Sequence, residues 1–131
     1  MKLICIGDSL TFGYGVHLSQ RWTRLCAQET GWELVNEGIN GDTTGGMLTR
    51  MQGGVLAELR EGGLGADRPY VLLMGGSNDV FYSGSDAAAR GNMGAMIHQL
   101  FSVGVLPMVG IPLPADAPHA PRAILKRRSG R

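Results

Sequence analysis

The chain has 131 residues, a formal net charge of +1, 44% hydrophobic residues and 18% charged residues. These values are typical of one globular domain and exclude a disordered or fibrous chain. No apolar run approaches the roughly 18 residues that a membrane span needs, and the N-terminus lacks the long apolar region of a signal peptide. Cys5 and Cys26 both lie in apolar stripes, which predicts buried free thiols. We therefore expect a cytoplasmic protein.

The basic residues are unevenly distributed along the chain. Five of the twelve lie in the last ten positions, where there is no acid: Arg122, Lys126, Arg127, Arg128 and Arg131. Residues 1–121 carry seven basic and eleven acidic groups, a balance of −4. A basic end can contact nucleic acid or an anionic surface. Because neither interleaved aromatic residues nor a nucleic-acid motif accompanies it, we expect a solvated end and no nucleic-acid partner.

Four apolar runs of strand length alternate with three helical patterns. The predicted strands cover 2–6, 32–36, 70–74 and 105–111, and the predicted helices cover 21–30, 44–61 and 87–102. This alternation favours a parallel sheet with helices on both faces. The pattern does not determine the order of the strands in the sheet.

Capping residues and glycines set the details of the predicted helices. Ser19 is the predicted N-cap of the first helix, and Ser85 or Asp86 that of the third. Gly53 and Gly54 weaken the second helix and can kink it. Helical spacing predicts that the first helix buries Trp22, Leu25 and Cys26, and that the third buries Met93, Met96, Ile97, Leu100 and Phe101.

Three of the four predicted strands end in glycine and small polar residues. The segments are Gly7-Asp8-Ser9, Asn40-Gly41-Asp42 and Gly76-Ser77-Asn78-Asp79. Taken singly, each is explained by a turn or a helix cap. The carboxyl ends of parallel strands share one edge of a sheet, so a hydroxyl, a flexible backbone N–H and a side-chain amide are expected to converge. Ester cleavage needs such an oxygen nucleophile and such donors for the oxyanion.

The same segments resemble the signature blocks of the SGNH, or GDSL, hydrolases, and the resemblance covers roughly residues 1–112. It implies a flavodoxin-like three-layer α/β/α fold and hydrolysis of small-molecule carboxylic esters or thioesters. It implies that Ser9 is the nucleophile, and that the N–H groups of Ser9 and Gly41 and the Asn78 amide form the oxyanion hole. Asp8 and Asp79 match positions that the family uses mainly to hold loops. Nothing in the sequence implies a metal or an organic cofactor.

The fourth block of the family is an Asp-x-x-His motif that supplies the base, beyond a fifth strand and further helices. Here an Asp-x-x-His string, Asp116 to His119, follows the fourth strand directly among three prolines. The spacing lets a carboxylate orient an imidazole, and it is also compatible with coincidence. His17, in the loop after Ser9, is a weaker candidate for the base, and His98 is expected to be structural or exposed.

The sequence thus predicts an incomplete hydrolase-like α/β domain over 1–112, with four recognisable strands and the fifth missing, and an irregular tail over 113–131. The tail is rich in proline and then basic, and an interrupted or shifted reading frame would produce such a break. Translating the downstream DNA in all three frames tests that explanation.

Three functions remain open from the sequence. The first is a serine ester hydrolase. The second is a truncated, inactive scaffold, because loss of a triad member leaves only a residual catalysis of roughly 10³–10⁴-fold over water. The third is a non-hydrolytic domain that binds a phosphate at these glycine-rich loops. It is the weakest of the three, because the loops lack the usual glycine patterns of phosphate-binding sites. The sequence alone does not specify which ester or acyl group is the substrate, nor the oligomeric state.

Overall fold

The computed structural model of the chain describes residues 1–61 and 68–112. The strands are β1 (Lys2–Gly7), β2 (Glu33–Gly38), β3 (Tyr70–Met74) and β4 (Pro107–Val109). The α-helices are α1 (Ser9–Phe12), α2 (Trp22–Thr30), α3 (Thr44–Arg50), α4 (Leu56–Glu61), α5 (Ser77–Ser83) and α6 (Ala87–Ser102). The strands form one parallel sheet in the order β2-β1-β3-β4.

The main core lies on one face of this sheet. Ile4 and Ile6 of β1 face it together with their partners in β3, Val71 and Leu73. The helices contribute Met47, Met51, Leu56, Leu59, Met96 and Leu100 to the same cluster. Every second residue of a strand points to the same face, so the pairing puts the β-branched and leucine side chains of both central strands against these helices.

The opposite face is covered by α2. Cys5 faces this side because it alternates with Ile4 and Ile6 along β1, and it is fully buried. Its register partner on β2, Asn36, donates a hydrogen bond to the hydroxyl of Thr23 in α2 at 3.2 Å. Helices therefore cover both faces of the sheet, and the predicted three-layer α/β/α architecture is confirmed.

Several predicted boundaries agree with the structure and others do not. The third strand and the third predicted helix have the bounds of β3 and α6. The second strand begins one residue later and ends two residues later than predicted. The fourth was predicted over 105–111, but β4 has three residues because it pairs with β3 only at Val71, Leu72 and Leu73. Pro107 has no N–H to extend the ladder.

The helix predicted over 44–61 is divided. α3 and α4 are joined by a π-helical turn, Met51–Val55, closed by a hydrogen bond from the Leu56 N–H to the Met51 carbonyl. Gly53 and Gly54 lie in this turn and have open space around them. The predicted weakness at the two glycines is therefore the place where the helical hydrogen-bond pattern changes.

The predicted N-cap of α2 is wrong, and its predicted buried face is confirmed only in part, since Trp22 and Cys26 are partly buried. The helix starts at Trp22, and Ser19 lies in a preceding 3₁₀-helix, Leu18–Gln20. Leu25 is 48% exposed, whereas Thr23 is buried. A polar partner explains this inversion, because Thr23 faces the Asn36 amide of β2.

The predicted stripe of α6 is confirmed in part. Met96 and Leu100 are buried, and Met93 and Ile97 pack against the same cluster, but Phe101 is 54% exposed. At the start of the helix the Ser85 hydroxyl accepts the Ala87 N–H.

Within the described ranges, no helix has the length and apolar character that a membrane crossing requires. The predicted tail over 113–131 lies outside the described residues.

Candidate active site

The three predicted signature blocks leave the sheet from a single row of residues. Gly7 at the end of β1 pairs with Gly38 of β2 on one side and with Met74 of β3 on the other. The next residues of each chain segment are therefore neighbours at one edge of the sheet. The structure brings the segments that carry Ser9, Gly41 and Asn78 to this common edge.

Ser9 is the first residue of α1 and is partly buried. Asp8 precedes it as the N-cap and is 1% exposed, and its carboxylate accepts the Leu10 N–H at 2.9 Å. The turn between β1 and α1 is tight. A Cβ on Gly7 would lie 2.1 Å from the Thr11 hydroxyl and 2.6 Å from the Met74 carbonyl oxygen. Glycine is required at this position because neighbouring chain occupies the space of a side chain.

Asn36 fixes the far end of α1 to β2. Its amide donates to the Thr11 carbonyl at 2.8 Å, and its own carbonyl oxygen accepts the Gly38 N–H at 2.9 Å. The residue thereby joins the helix that starts at Ser9 to the strand that leads to Gly41. The sequence does not indicate this role, because Asn36 stands at the end of a predicted strand with no motif around it.

The segment after β2 is a turn held by its own backbone. The Ile39 N–H donates to the Gly7 carbonyl and the Asp42 N–H donates to the Ile39 carbonyl, both at 3.1 Å. Gly41, at φ +77°, is in the left-handed region that favours glycine. Its carbonyl accepts the Tyr82 hydroxyl at 3.3 Å. The Gly41 segment is thus attached both to β1 and to α5.

Asn78 lies in the first turn of α5, a helix that is not among the predicted elements. Its side-chain amide donates to the Asp42 carbonyl at 2.9 Å. Asp79, 6% exposed, accepts the N–H and the hydroxyl of Thr44 at the start of α3. Two hydrogen-bonded links therefore join the second and third blocks, and Asp8 and Asp79 hold loops as the resemblance implies.

Arg50, at the end of α3, connects three parts of this edge. Its guanidinium donates to Asp42 Oδ2 from Nε at 3.1 Å and from Nη2 at 2.8 Å. It also donates to the Gly7 carbonyl at 3.1 Å and to the Glu37 carbonyl at 2.6 Å. Local sequence patterns do not indicate this role of Arg50, because its acceptors are 8, 13 and 43 positions away along the chain.

The other candidate residues are placed as follows. His17 is exposed, and its Nδ1 lies 2.8 Å from the Ser19 hydroxyl. His98 was expected to be structural or exposed, and it is exposed on α6. Asp116 and His119 lie outside the described residues, and their role stays a prediction.

Both cysteines are free thiols as predicted, but only Cys5 is buried as predicted, and Cys26 on α2 is partly exposed. Burial, and secondarily the neighbouring Cys26 thiol, raises the pKa of Cys5 to about 11. A thiol with this pKa is almost entirely protonated at neutral pH and is a poor nucleophile.

The model of the GDSL-like Lipase/Acylhydrolase family matches residues 5–129 of this chain. Esterase TesA of Pseudomonas aeruginosa is 29% identical over 93% of the chain and 59% of its own length. A solved G-D-S-L family structure from Desulfitobacterium hafniense is 26% identical, with a TM-score of 0.79, over 98% of this chain and 67% of that one. A crystal structure of TesA is 28% identical, with a TM-score of 0.76, over 99% of this chain and 71% of that one.

The protein described here belongs to the GDSL-like lipase/acylhydrolase family, since the family match extends over nearly all of its residues. The resemblance inferred from the three motif blocks is thereby confirmed. The chain spans 59% of the length of the P. aeruginosa esterase.

Proposed function

We propose that this protein hydrolyses carboxylic esters or thioesters of small molecules through an acyl-enzyme on Ser9. The main support is the pairing of Gly7 with both Gly38 and Met74. Because of this pairing, the segments that contain Ser9, Gly41 and Asn78 leave the sheet at the same edge. The family relationship and the name of the relative, an esterase, support the same reaction class.

The proposed oxyanion hole consists of the N–H groups of Ser9 and Gly41 and the amide of Asn78. One N–H of the Asn78 amide already donates to the Asp42 carbonyl. Since a carboxamide has two N–H donors, this bond orients the group and leaves the second donor for a substrate. Donors fixed before reaction stabilise the developing negative charge without a reorganisation cost.

In the proposed reaction the Ser9 oxygen attacks the acyl carbon while its proton passes to a general base. The tetrahedral oxyanion then collapses, and the alcohol or thiol leaves with that proton. Water, deprotonated by the same base, then attacks the acyl carbon of the acyl-enzyme; the acid is released and Ser9 regains its proton. The candidate base is His119 oriented by Asp116, on the strength of the Asp-x-x-His spacing.

Labelling with a fluorophosphonate tests the nucleophile. We expect one adduct on the peptide that contains Ser9, no adduct in Ser9→Ala, and unchanged labelling in Ser102→Ala, which removes an exposed hydroxyl at the far end of α6. Folding of each variant is first checked by circular dichroism. Folded wild type that neither labels nor turns over p-nitrophenyl acetate faster than Ser9→Ala would refute the proposed activity and favour an inactive scaffold.

The candidate base is tested separately. His119→Ala should reduce the labelling rate at least 100-fold if the imidazole removes the serine proton, since general base catalysis contributes about 10²–10⁴-fold. His98→Ala, on the exposed side of α6, is the matched histidine control. Equal labelling rates in the two variants would show that His119 is not the base.

A further inference from the structure

Arg50 donates four hydrogen bonds to three residues at the candidate site, Gly7, Glu37 and Asp42. Its guanidinium contacts the carbonyl ends of both β1 and β2 and the side chain of Asp42. The planar fork of arginine suits this arrangement because its five N–H donors have fixed directions. The side chains of Arg50 and Asp42 are 24% and 15% exposed, so water competes only partly for these bonds.

Asp42 lies between Arg50 and two of the proposed oxyanion-hole donors, the Gly41 N–H and the Asn78 amide. Its carboxylate accepts from Arg50, and its carbonyl oxygen accepts from the Asn78 amide. It also directly follows Gly41. Any displacement of Asp42 therefore moves the Gly41 N–H through the chain and the Asn78 amide through the hydrogen bond.

We propose that Arg50 is a positioning residue, which sets the location of the Gly41 N–H and the Asn78 amide through Asp42. This inference deepens the proposed function and rests on it for the identity of the oxyanion donors. Arg50 acts on the site indirectly in this proposal, because it fastens the loop over 38–43 to the ends of β1 and β2. Through Asp42, Arg50 adds a charged contact to the hydrogen bonds that already orient the Gly41 and Asn78 segments.

Hydrogen exchange tests the fastening without any requirement for activity. The amide N–H groups of Ile39, Asp42 and Thr43 are the donors that close this loop. In Arg50→Gln we expect them to exchange at least tenfold faster relative to the buried amides of α6, because local opening of the loop becomes easier than global unfolding. Arg24→Gln, the same substitution at an exposed position of α2, should leave the ratio unchanged.

The conservative variant separates positioning from charge. Arg50→Lys keeps a positive charge near Asp42, but a compact ammonium cannot serve three acceptors in a fixed fork. We expect exchange of the loop amides in Arg50→Lys to lie between wild type and Arg50→Gln. Loop exchange that rises only in proportion to exchange of α6 in both variants would reduce Arg50 to a global stabilising residue and overturn the proposal.

Steady-state kinetics of the Arg50 variants test whether the position of the oxyanion donors affects the proposed reaction. A misplacement of about 1 Å in a catalytic group can cost 10²-fold, and loss of one oxyanion donor costs about 10²–10³-fold. We expect Arg50→Gln to lower kcat for p-nitrophenyl acetate by about 10–100-fold with KM changed less than threefold. A rise in KM at constant kcat would contradict the positioning role even if the loop exchanges faster. An inactive wild type would refute the proposed function, while the exchange result would still decide whether Arg50 fastens the loop.

Discussion

The carboxylate of Asp79 accepts two hydrogen bonds from Thr44, one from the backbone N–H at 2.9 Å and one from the hydroxyl at 2.7 Å. The Thr44 hydroxyl in turn accepts the amide of Asn92 on α6 at 3.1 Å. A residue of the third block therefore fixes the start of the helix that follows the second block. This buried link holds the start of α3 and the first turn of α5 in a constant relative position.

Removal of this acceptor should destabilise the fold. Asp79→Ala leaves the Thr44 N–H buried without an acceptor, and we expect the free energy of unfolding to fall by about 2–4 kcal/mol. Asp79→Asn retains one acceptor oxygen and the shape, so its cost should be nearer 1 kcal/mol. Urea denaturation followed by circular dichroism measures both. Equal costs would mean that packing around residue 79 matters and the hydrogen bonds to Thr44 do not.

Asn36 provides a test of how α1 is held. Asn36→Asp replaces the amide donor with a carboxylate beside the Thr11 carbonyl oxygen, and we expect a loss of about 2–4 kcal/mol at pH 7. Protonation of the introduced carboxyl restores a donor, so the stability difference from wild type should shrink as the pH falls from 7 to 4. Chemical denaturation at several pH values measures this difference.

The matched variant for this test is Asn36→Leu, which has no titrating group. Its difference from wild type should not vary with pH. A pH-independent loss in Asn36→Asp as well would contradict the assigned role of the amide donor.

The buried thiol of Cys5 predicts a pH dependence of stability at alkaline pH. Its pKa is raised from 9.0 to about 11 by burial and by the Cys26 thiol. The folded state therefore favours the protonated thiol. Its contribution is fully present below pH 9 and is lost as the pH rises from 9 to 11. The loss can reach about 2 kcal/mol over this interval.

Denaturation of wild type and Cys5→Ala between pH 8 and 11 measures this contribution. The two stabilities should converge as the pH rises, because the variant lacks the titrating thiol. Cys26→Ala retains the buried thiol and should keep most of the wild-type slope. Parallel pH profiles for wild type and Cys5→Ala would contradict the shift.

The sequence was most informative where the pattern is long or the residues are unusual. The sixteen residues of α6 repeat their apolar positions over several turns, so both ends could be predicted. The four residues of α1 and the seven of α5 are too short to show a helical period. They also begin at the motif residues themselves, which favour turns and caps as strongly as helices.

Tertiary contacts account for what the sequence did not indicate. Thr23 is buried because its hydroxyl accepts a hydrogen bond from the Asn36 amide of β2. The periodicity of a helix gives no sign of a partner on another element. Arg50 has the same character, because an arginine in the last turn of a helix is ordinary by local criteria. Its importance follows from the strand order, which brings the ends of β1 and β2 beside α3.

The π-helical turn between α3 and α4 has a consequence for the allowed length of this segment. The core residues Met51 and Leu56 are five positions apart, and the wider turn absorbs the one residue by which this spacing exceeds an α-helical repeat. Omission of Gly53 would restore a four-residue spacing and an unbroken α-helix, with both side chains still directed at the sheet. We therefore expect this chain to retain the same interior when it is shortened by one residue at this turn.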